Sequence, residues 1–465
     1  MRLKTASKPS SAGAGSVMRD GTGWAWAICF AAHVCFVVTT GYFTTLGIFY
    51  LEWKDYFDLS ATSSSWLVGM PLLVASPLTL FSGVLATRLG VRRLTMVGSA
   101  INGLATILGS FANNVTQLYL CGALSGLGTV LMIPPAMVAL SQYFKKRYAL
   151  ANGIVVLGSN TGQIVFPPLF RLLIAHYGWR GTMLIVGAIQ LNGVAACALF
   201  RPLKTTTIKV KLDLEVNQTA VTPPKPITSV IQKDARPNEG NTWLRNLQFL
   251  DIFSDLSAML MLATAALYSI GWITNLTHLP ARAKEGGWSD DQGAMLLISF
   301  GIVSMLTRAT HGWFVDRNYV SAYKLHWIVL LGASIVTFLN PVSDNYVFLV
   351  GYTILVGAFV GIGGPLLIVN LRSLVHPSHV PASLSLIFAV FFLFNGIGTV
   401  VAGKIYDGTG NYVAPFLTAG ALFMASFLLF ILILFLKKRR DGKLERKTFT
   451  NNPCEESEPM STVAV

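Results

Sequence analysis

Residues 83–93 read GVLATRLGVRR and residues 312–317 read GWFVDR, and each stretch follows a long apolar segment. Both share the order glycine, three residues, threonine or acid, then arginine. We expect the glycine to let two helices approach closely and the polar pair to bind helix ends across a loop. Two matches in register predict a duplicated helical unit. The residues concerned are Gly83, Arg88, Gly90 and Arg92 in the first copy and Gly312, Asp316 and Arg317 in the second.

Twelve apolar segments surround these motifs, six in each half of the 465-residue chain. Only 12% of the residues are charged, about half of the ~25% found in soluble domains. An apolar segment of about 20 residues crosses a bilayer core as a helix and satisfies its own backbone. We therefore predict an all-α membrane protein. Its spans, numbered 1 to 12, are expected at 24–50, 64–86, 93–113, 117–140, 148–171, 178–200, 250–278, 291–315, 323–341, 346–370, 381–404 and 412–436.

The polar stretches divide the chain further. Residues 1–23 carry no apolar core, so this end is predicted to be a tail and not a signal peptide. Residues 201–249 are polar and proline-containing, as in a flexible linker. We therefore predict an N-terminal bundle at 24–200, a second bundle at 250–436 and a C-terminal tail at 437–465.

The basic residues are distributed unevenly between the two sides. The chain has 35 lysines and arginines and a net charge of +14. With the spans above, 28 of them fall on the side of both tails and the linker, six on the other side, and Arg308 within a span. By the positive-inside rule both termini are predicted to be cytoplasmic. The anionic inner leaflet of the lipid bilayer accounts for the positive charge, so nucleic acid is not an expected partner.

Arg308 is the charged residue that the spans leave inside the membrane. It precedes Asp316 by eight residues, so it lies about 12 Å from that end of its helix, near the middle of a core of about 30 Å. An arginine at that depth costs roughly 2.5–3.5 kcal/mol on insertion scales. It is therefore expected to face a water-filled cavity or a partner, and to be the main substrate-binding residue.

Enzymatic chemistry finds no support in the sequence. There is no phosphate-binding Gly-x-x-x-x-Gly-Lys-Ser/Thr loop and no His-Glu-x-x-His metal site. The five cysteines have no metal-ligand spacing. We predict a protein that is not an enzyme and needs no cofactor or metal.

Several further stretches resemble the monocarboxylate transporter family of the major facilitator superfamily. The resemblance covers residues 20–436 apart from the linker, although Thr87 stands where the facilitator motif usually has aspartate. The matching stretches are DGTGWAW from Asp20, YFKKRYALANG at 143–153, GSNTG at 158–162, GWRG at 178–181, RP at 201–202 and GKIYDGTGNY at 403–412, which contains Asp407.

The resemblance implies a major facilitator fold with two six-helix bundles and a substrate site between them. It also implies a plasma-membrane carrier of a small monocarboxylate, in which Arg308 matches an arginine that acts as a carboxylate clamp. A guanidinium can bind both oxygens of a carboxylate, which supports this role. A single-span glycoprotein chaperone is a candidate partner, since such a protein escorts some relatives.

The sequence departs from the proton-coupled members of the family at two positions. Thr44 stands where those members have a lysine on span 1, and Ser304 stands where they have an aspartate one turn before the arginine. Neither hydroxyl carries a proton at physiological pH. An uncoupled carrier of a zwitterion, of the creatine, carnitine or aromatic amino acid type, is therefore the alternative. A non-transporting receptor or scaffold is the alternative from another class.

Other polar residues within the spans are secondary candidates. His33 is a candidate proton relay, because imidazole gains and loses a proton near neutral pH. The remaining candidates for substrate contact would equally well tie two helices together. They are Tyr42, Thr44, Asn160, Ser304 and Asn395.

Overall fold

The computed structural model of the protein describes residues 23–144, 147–201, 252–253, 255–317, 319–375 and 380–451. Within these residues the regular structure is helical and contains no strand. The α-helices are α1 (Gly23–Phe36), α2 (Tyr42–Thr44), α3 (Gly47–Tyr56), α4 (Ala61–Leu89), α5 (Val91–Ser110), α6 (Val115–Tyr143), α7 (Tyr148–Leu191), α8 (Gly193–Cys197), α9 (Leu256–Glu285), α10 (Asp290–Asp316), α11 (Ala322–Leu339), α12 (Tyr346–Leu374), α13 (Val380–Thr409) and α14 (Val413–Asn451).

These helices form the twelve predicted spans. Ten helical segments of the described chain are long and apolar enough to cross a membrane. One of them, Leu150–Cys197, holds both span 5 and span 6, which are separated at Gly178, where φ is 66°. Span 3 is α5, which is not among the ten. Arg92 and Arg93 lie in its first turn and lower its mean hydropathy. The helical prediction is confirmed.

Consecutive spans run in opposite directions, so their ends lie on two faces. We call the face where span 6 ends and span 7 begins the linker face, and the opposite one the far face. Spans 1, 5, 7 and 11 end at the far face, and spans 2 and 8 begin there.

Span 1 is an interrupted helix. A π-helix at Val37–Gly41 follows α1, and α2 and α3 follow in turn. The Thr45 hydroxyl donates to the carbonyl oxygen of Gly41 at 3.1 Å, a local bond of the kind that bends helices. Gly41 also lies against Gly162 of span 5, since a Cβ added to Gly41 would come within 2.7 Å of the Gly162 Cα. The interruption therefore coincides with a close backbone contact between spans 1 and 5.

The two bundles meet most extensively along two helix pairs. Span 2 packs against span 11, and span 5 packs against span 8. Small residues permit the first contact, since a Cβ on Gly69 would lie 2.8 Å from the carbonyl oxygen of Gly396. The Ser76 hydroxyl donates to the Ala389 carbonyl oxygen at 2.9 Å, which adds a hydrogen bond between the bundles.

Several predicted boundaries differ from the structure, two of them for a clear physical reason. Span 7 begins at Leu256 and not near 250, because Asp255 caps the helix by accepting from the Ser257 N–H at 2.8 Å. Helix α14 continues to Asn451, beyond the apolar end of span 12 at 436. The added segment is rich in lysine and arginine, which are good helix formers, so it prolongs the helix outside the hydrocarbon.

The contact between Gly41 and Gly162 predicts a position-specific effect on stability. Gly162→Ala should destabilise the protein by about 1–3 kcal/mol, because the new methyl group forces the two backbones apart. Gly153→Ala is the matched control, since a Cβ at Gly153 of the same helix meets no atom within 4 Å among the described residues. Thermal unfolding in detergent measures both, and equal midpoints for the two variants would contradict the prediction.

Candidate functional site

Arg308 lies on span 8 and is half-buried where the bundles meet. Its Nε donates to the Gly361 carbonyl oxygen of span 10 at 3.3 Å. Its Nη1 donates to the Ser159 hydroxyl of span 5 at 3.4 Å. Span 5 belongs to the first bundle and spans 8 and 10 to the second. The guanidinium therefore links the bundles through two long hydrogen bonds to neutral groups.

The charge of Arg308 is not paired with a carboxylate of the residues that the structure describes. Among the described residues, no Asp or Glu oxygen lies within 4.0 Å of its guanidinium. Two other arginines near span ends are paired: Arg171 with three carboxylates and Arg282 with Asp344. A cation in a membrane interior is costly unless something compensates it. Arg308 is thus in a position to bind an anion.

Asn160 and Ser304 extend this polar site. The Asn160 Nδ2 donates to the Ser304 hydroxyl at 3.0 Å, which again joins span 5 to span 8. Both side chains are buried. The Oδ1 of Asn160 has no hydrogen-bond partner among the described residues. The structure therefore brings together Arg308, Ser304 and Asn160, and it adds Ser159, which the sequence did not single out.

Tyr42 and Thr44 have their hydroxyl groups engaged inside the first bundle. Thr44 donates to the Gly41 carbonyl oxygen at 2.9 Å, within its own turn. The Tyr42 hydroxyl interacts with Thr106, and both residues line a small cavity within the first bundle. Asn395 of span 11 is buried, and its Oδ1 has no partner among the described residues. None of these three residues hydrogen-bonds to Arg308 in this conformation, and their contact with substrate stays a prediction.

His33 is held between span 1 and span 5. Its Nδ1 lies 2.8 Å from the Ile154 carbonyl oxygen, so Nδ1 carries the hydrogen of this bond and Nε2 is left as the acceptor. Ile154 precedes Ser159 by five residues, which is about 7.5 Å along the helix toward the linker face. His33 therefore lies on the linker side of the Arg308 contact, and its role as a relay stays a prediction.

The loop motifs behave differently from one another. Gly90 has φ of 81° and ends α4, a backbone conformation that favours glycine. In this conformation a Cβ on Gly83 or Gly312 would meet no described atom within 4 Å, so the role of these glycines in close helix contacts stays a prediction. Arg88, Arg92 and Arg317 are exposed. Asp20 and the side chain of Asp316 lie outside the described residues.

Asp407 has a contact that the sequence motif alone did not reveal. Its two carboxylate oxygens accept from the backbone N–H groups of Ala61 and Thr62, each at 2.8 Å. These N–H groups are at the start of α4, where a negative charge favours the helix dipole. Asp407 at the end of span 11 therefore caps span 2 and fastens the bundles together at the far face.

Ion pairs between the bundles also cross the far face. Arg171 of span 5 contacts Glu52 at 3.1 Å, Asp290 at 3.6 Å and Asp291 at 3.0 Å. Lys284 of span 7 contacts Asp55 at 2.9 Å and Asp290 at 3.6 Å. We call these six residues the far-face ion cluster. Burial raises the pKa of the Glu52 carboxyl above its ordinary value, and Arg171 opposes that rise.

Sequence reasoning missed this cluster, although a signal was available. All six residues lie at or beyond the ends of predicted spans on the side that carries few basic residues. Charges in such short connections are close to one another once the helix ends are brought together. Three of the five ion pairs, however, join residues of different bundles, and these partners follow only from the packing.

Comparison with known proteins agrees with this architecture. The sequence model of the Major Facilitator Superfamily matches residues 28–339 and 260–459. Monocarboxylate transporter 13 of Bos taurus is 30% identical over 406 residues, covering 87% of this chain and 88% of that protein. Monocarboxylate transporter 12 of Homo sapiens is 28% identical, covering 91% and 83%. Monocarboxylate transporter 2 of Mesocricetus auratus is 27% identical, covering 94% and 91%.

The matches extend over both bundles, and the helical fold agrees with the two-bundle architecture that the sequence predicts. The chain therefore belongs to the monocarboxylate transporter family of the major facilitator superfamily.

Proposed function

We propose that this protein is a secondary transporter that carries a small monocarboxylate anion across the plasma membrane by alternating access. The observation that carries the proposal is the guanidinium of Arg308 at the contact between the bundles, which makes hydrogen bonds to neutral groups and no ion pair among the described residues. The relatives' names, monocarboxylate transporters 13, 12 and 2, support the same substrate class.

A carboxylate suits Arg308 better than its present partners do. The guanidinium now makes hydrogen bonds of 3.3 and 3.4 Å to a carbonyl and a hydroxyl. Bonds between arginine and carboxylate are shorter, at about 2.7–2.9 Å, and roughly twice as strong as neutral ones. An incoming carboxylate would therefore replace these contacts with stronger ones and compensate the buried charge.

The surroundings of Arg308 favour an anion over a zwitterion. Ser159, Asn160 and Ser304, which are polar side chains close to it, are all neutral, and so is Tyr268, which also interacts with Arg308. The ammonium group of a zwitterion would find no carboxylate near Arg308 among the described residues. We therefore assign a monocarboxylate to this site, with Ser159, Asn160 and Ser304 as its neighbours.

Alternating access requires the far face to open. In this conformation the far-face ion cluster and Asp407 hold the bundles together there. We propose that the linker and both termini are cytoplasmic, which makes the far face extracellular. Substrate from outside then reaches Arg308 only after these contacts break. A single-span glycoprotein chaperone remains a candidate partner for delivery to the cell surface.

Arg308→Lys should lower transport efficiency by about 10- to 100-fold, because the loss of a charge-assisted hydrogen bond costs roughly 1.5–3 kcal/mol. Uptake of radiolabelled short monocarboxylates into proteoliposomes measures the effect. Arg372→Lys is the control, since Arg372 is exposed at the linker-face end of span 10. Full activity of Arg308→Lys would contradict the clamp. If the unmodified protein transports none of the monocarboxylates or amino acids tested, the receptor alternative is favoured.

A comparison of propionate uptake with alanine uptake tests whether the substrate is an anion or a zwitterion. The two molecules have the same carbon chain, and alanine adds only an ammonium group. Because the polar side chains around Arg308 are neutral, propionate should be taken up at least about 10-fold more efficiently, the ratio that 1.4 kcal/mol provides. Equal uptake of alanine would favour the zwitterion carrier instead.

Arg171→Gln should shift the protein toward a conformation that is open at the far face. Removal of this cation leaves Glu52, Asp290 and Asp291 without their shared partner, so their repulsion favours separation. Spin labels at the exposed residues Tyr177 and Val342, one in each bundle, report the distance across this face.

We expect the long-distance population to rise by about 10-fold, which corresponds to 1.4 kcal/mol. Lys404→Gln is the control, because Lys404 is an exposed cation of span 11 that lies outside the cluster. An unchanged distance distribution in Arg171→Gln would show that the cluster does not hold this face closed.

A further inference from the structure

His278 is a fully buried histidine at the contact between the bundles. It lies on span 7, seven residues before the helix ends at Glu285, which places it about 10 Å below the far face. Its exposed fraction is 0%. Next to it, a Cβ on Gly47 of span 1 would lie 2.6 Å from the Thr277 carbonyl oxygen, so spans 1 and 7 touch at this level.

Aromatic rings from both bundles enclose the imidazole. The ring of Tyr50, from span 1, is 5.1 Å away in an edge-on arrangement. The ring of Tyr412, which follows span 11, is 5.8 Å away. The two tyrosine hydroxyls lie 3.2 Å apart and form a hydrogen bond between the bundles. Separation of the bundles at the far face would therefore remove Tyr50 and expose His278 to water.

The hydrogen bonding of His278 fits a neutral ring. Nε2 lies 3.2 Å from the Thr399 carbonyl oxygen, so Nε2 carries the hydrogen. Nδ1 has no hydrogen-bond partner among the described residues. A proton added at Nδ1 would create a buried donor and a buried charge with nothing to compensate them, which is costly.

The charged groups around the His278 imidazole would not compensate the positive charge of a proton added at Nδ1. Span 1 contributes Lys54, and span 7 contributes Arg282, one turn beyond His278 and paired with Asp344. The nearby carboxylates bind elsewhere, Asp407 to the start of α4 and Glu285 to the Tyr412 N–H. The tyrosines around the ring, Tyr50 and Tyr412 with Tyr406 behind them, are neutral at physiological pH. No described carboxylate makes an ion pair with the imidazole.

We propose that His278 is a proton-controlled latch of the far face, which closes only when Nδ1 is unprotonated. In the open conformation, water on the far side reaches Nδ1 and supplies a proton. The protonated ring cannot re-enter the pocket between Tyr50 and Tyr412, so acid keeps the far face open. This role rests on the proposed alternating access and adds a control by pH that is separate from the binding of substrate at Arg308.

The direction and size of the effect follow from linkage. Only the open conformation accepts the proton, so the open population rises as the pH falls through the range in which exposed histidine titrates, near pH 6.5. Between pH 7.5 and pH 5.5 the ratio of open to closed molecules should rise about 10-fold.

The spin labels at residues 177 and 342 test the latch without reference to transport. The full chain, with its five native cysteines replaced and reconstituted in lipid nanodiscs, is measured at pH 7.5 and pH 5.5. With His278 present, the ratio of open to closed molecules should rise about 10-fold at the lower pH. In His278→Gln the same ratio should rise by no more than about 3-fold, which is half of the change on a logarithmic scale. His278→Asn provides a second neutral variant in case the glutamine variant folds poorly.

His326→Gln is the matched control. His326 is also 0% exposed, but its Nδ1 lies 2.9 Å from the Asn370 amide nitrogen and its ring packs on Phe430, all within the second bundle. It should therefore keep the full response to pH. Two results would overturn the latch. Either both His278 variants respond to pH as the unmodified protein does, or the unmodified protein does not respond to pH. Because the readout is a distance, a failure to find a transported substrate would leave this result unaffected.

Discussion

The hydrocarbon of the bilayer cannot compensate a charge, and this constraint organises the whole structure. It confines nearly all lysines, arginines and acids to the tails, the linker and the helix ends. At the far face these charges meet in ion pairs, three of which cross from one bundle to the other. Arg308 is the exception in the middle of a span, where it is bonded only to neutral groups. The charged residue that lies within the hydrocarbon is therefore also the centre of the candidate site.

The contacts between the bundles are unequal along the membrane normal. At the far face, carboxylates bind cations and backbone N–H groups at 2.8–3.6 Å, and Tyr50 meets Tyr412 below them. At the level of Arg308 the links are the longer bond to Ser159 and the bond between Asn160 and Ser304. The conformation described here is consequently fastened at the far face. Opening there costs several charge-assisted contacts at once, which suits a barrier that must exclude water and solute.

The sequence predicted the fold better than the site, for physical reasons. Span number and the identity of Arg308 depend on apolar length and on single charges, which a sequence displays directly. The interruption of span 1 arises from the contact between Gly41 and Gly162, which are 121 residues apart, so local propensity could not reveal it. Likewise, Tyr42 and Thr44 have the right chemistry for a pocket, but the twist of span 1 directs their hydroxyls to other partners. His278 appeared unremarkable until packing placed it between Tyr50 and Tyr412.

In the proposed function, Arg308 connects the binding of substrate with the movement of the bundles. Its bond to Ser159 joins span 8 to span 5, so the guanidinium is one of the groups that hold the bundles together near the membrane middle. The guanidinium has five N–H donors, and one donor of Nη1 is directed at Ser159. A carboxylate that binds through this donor would displace the Ser159 hydroxyl. The substrate then stands where the contact between the bundles stood. A ligand that binds one arrangement of the bundles more tightly than the other shifts the equilibrium between them by that difference in affinity. Alternating access at this site therefore needs no separate sensor for the substrate, since the residue that binds it also belongs to the interface that moves.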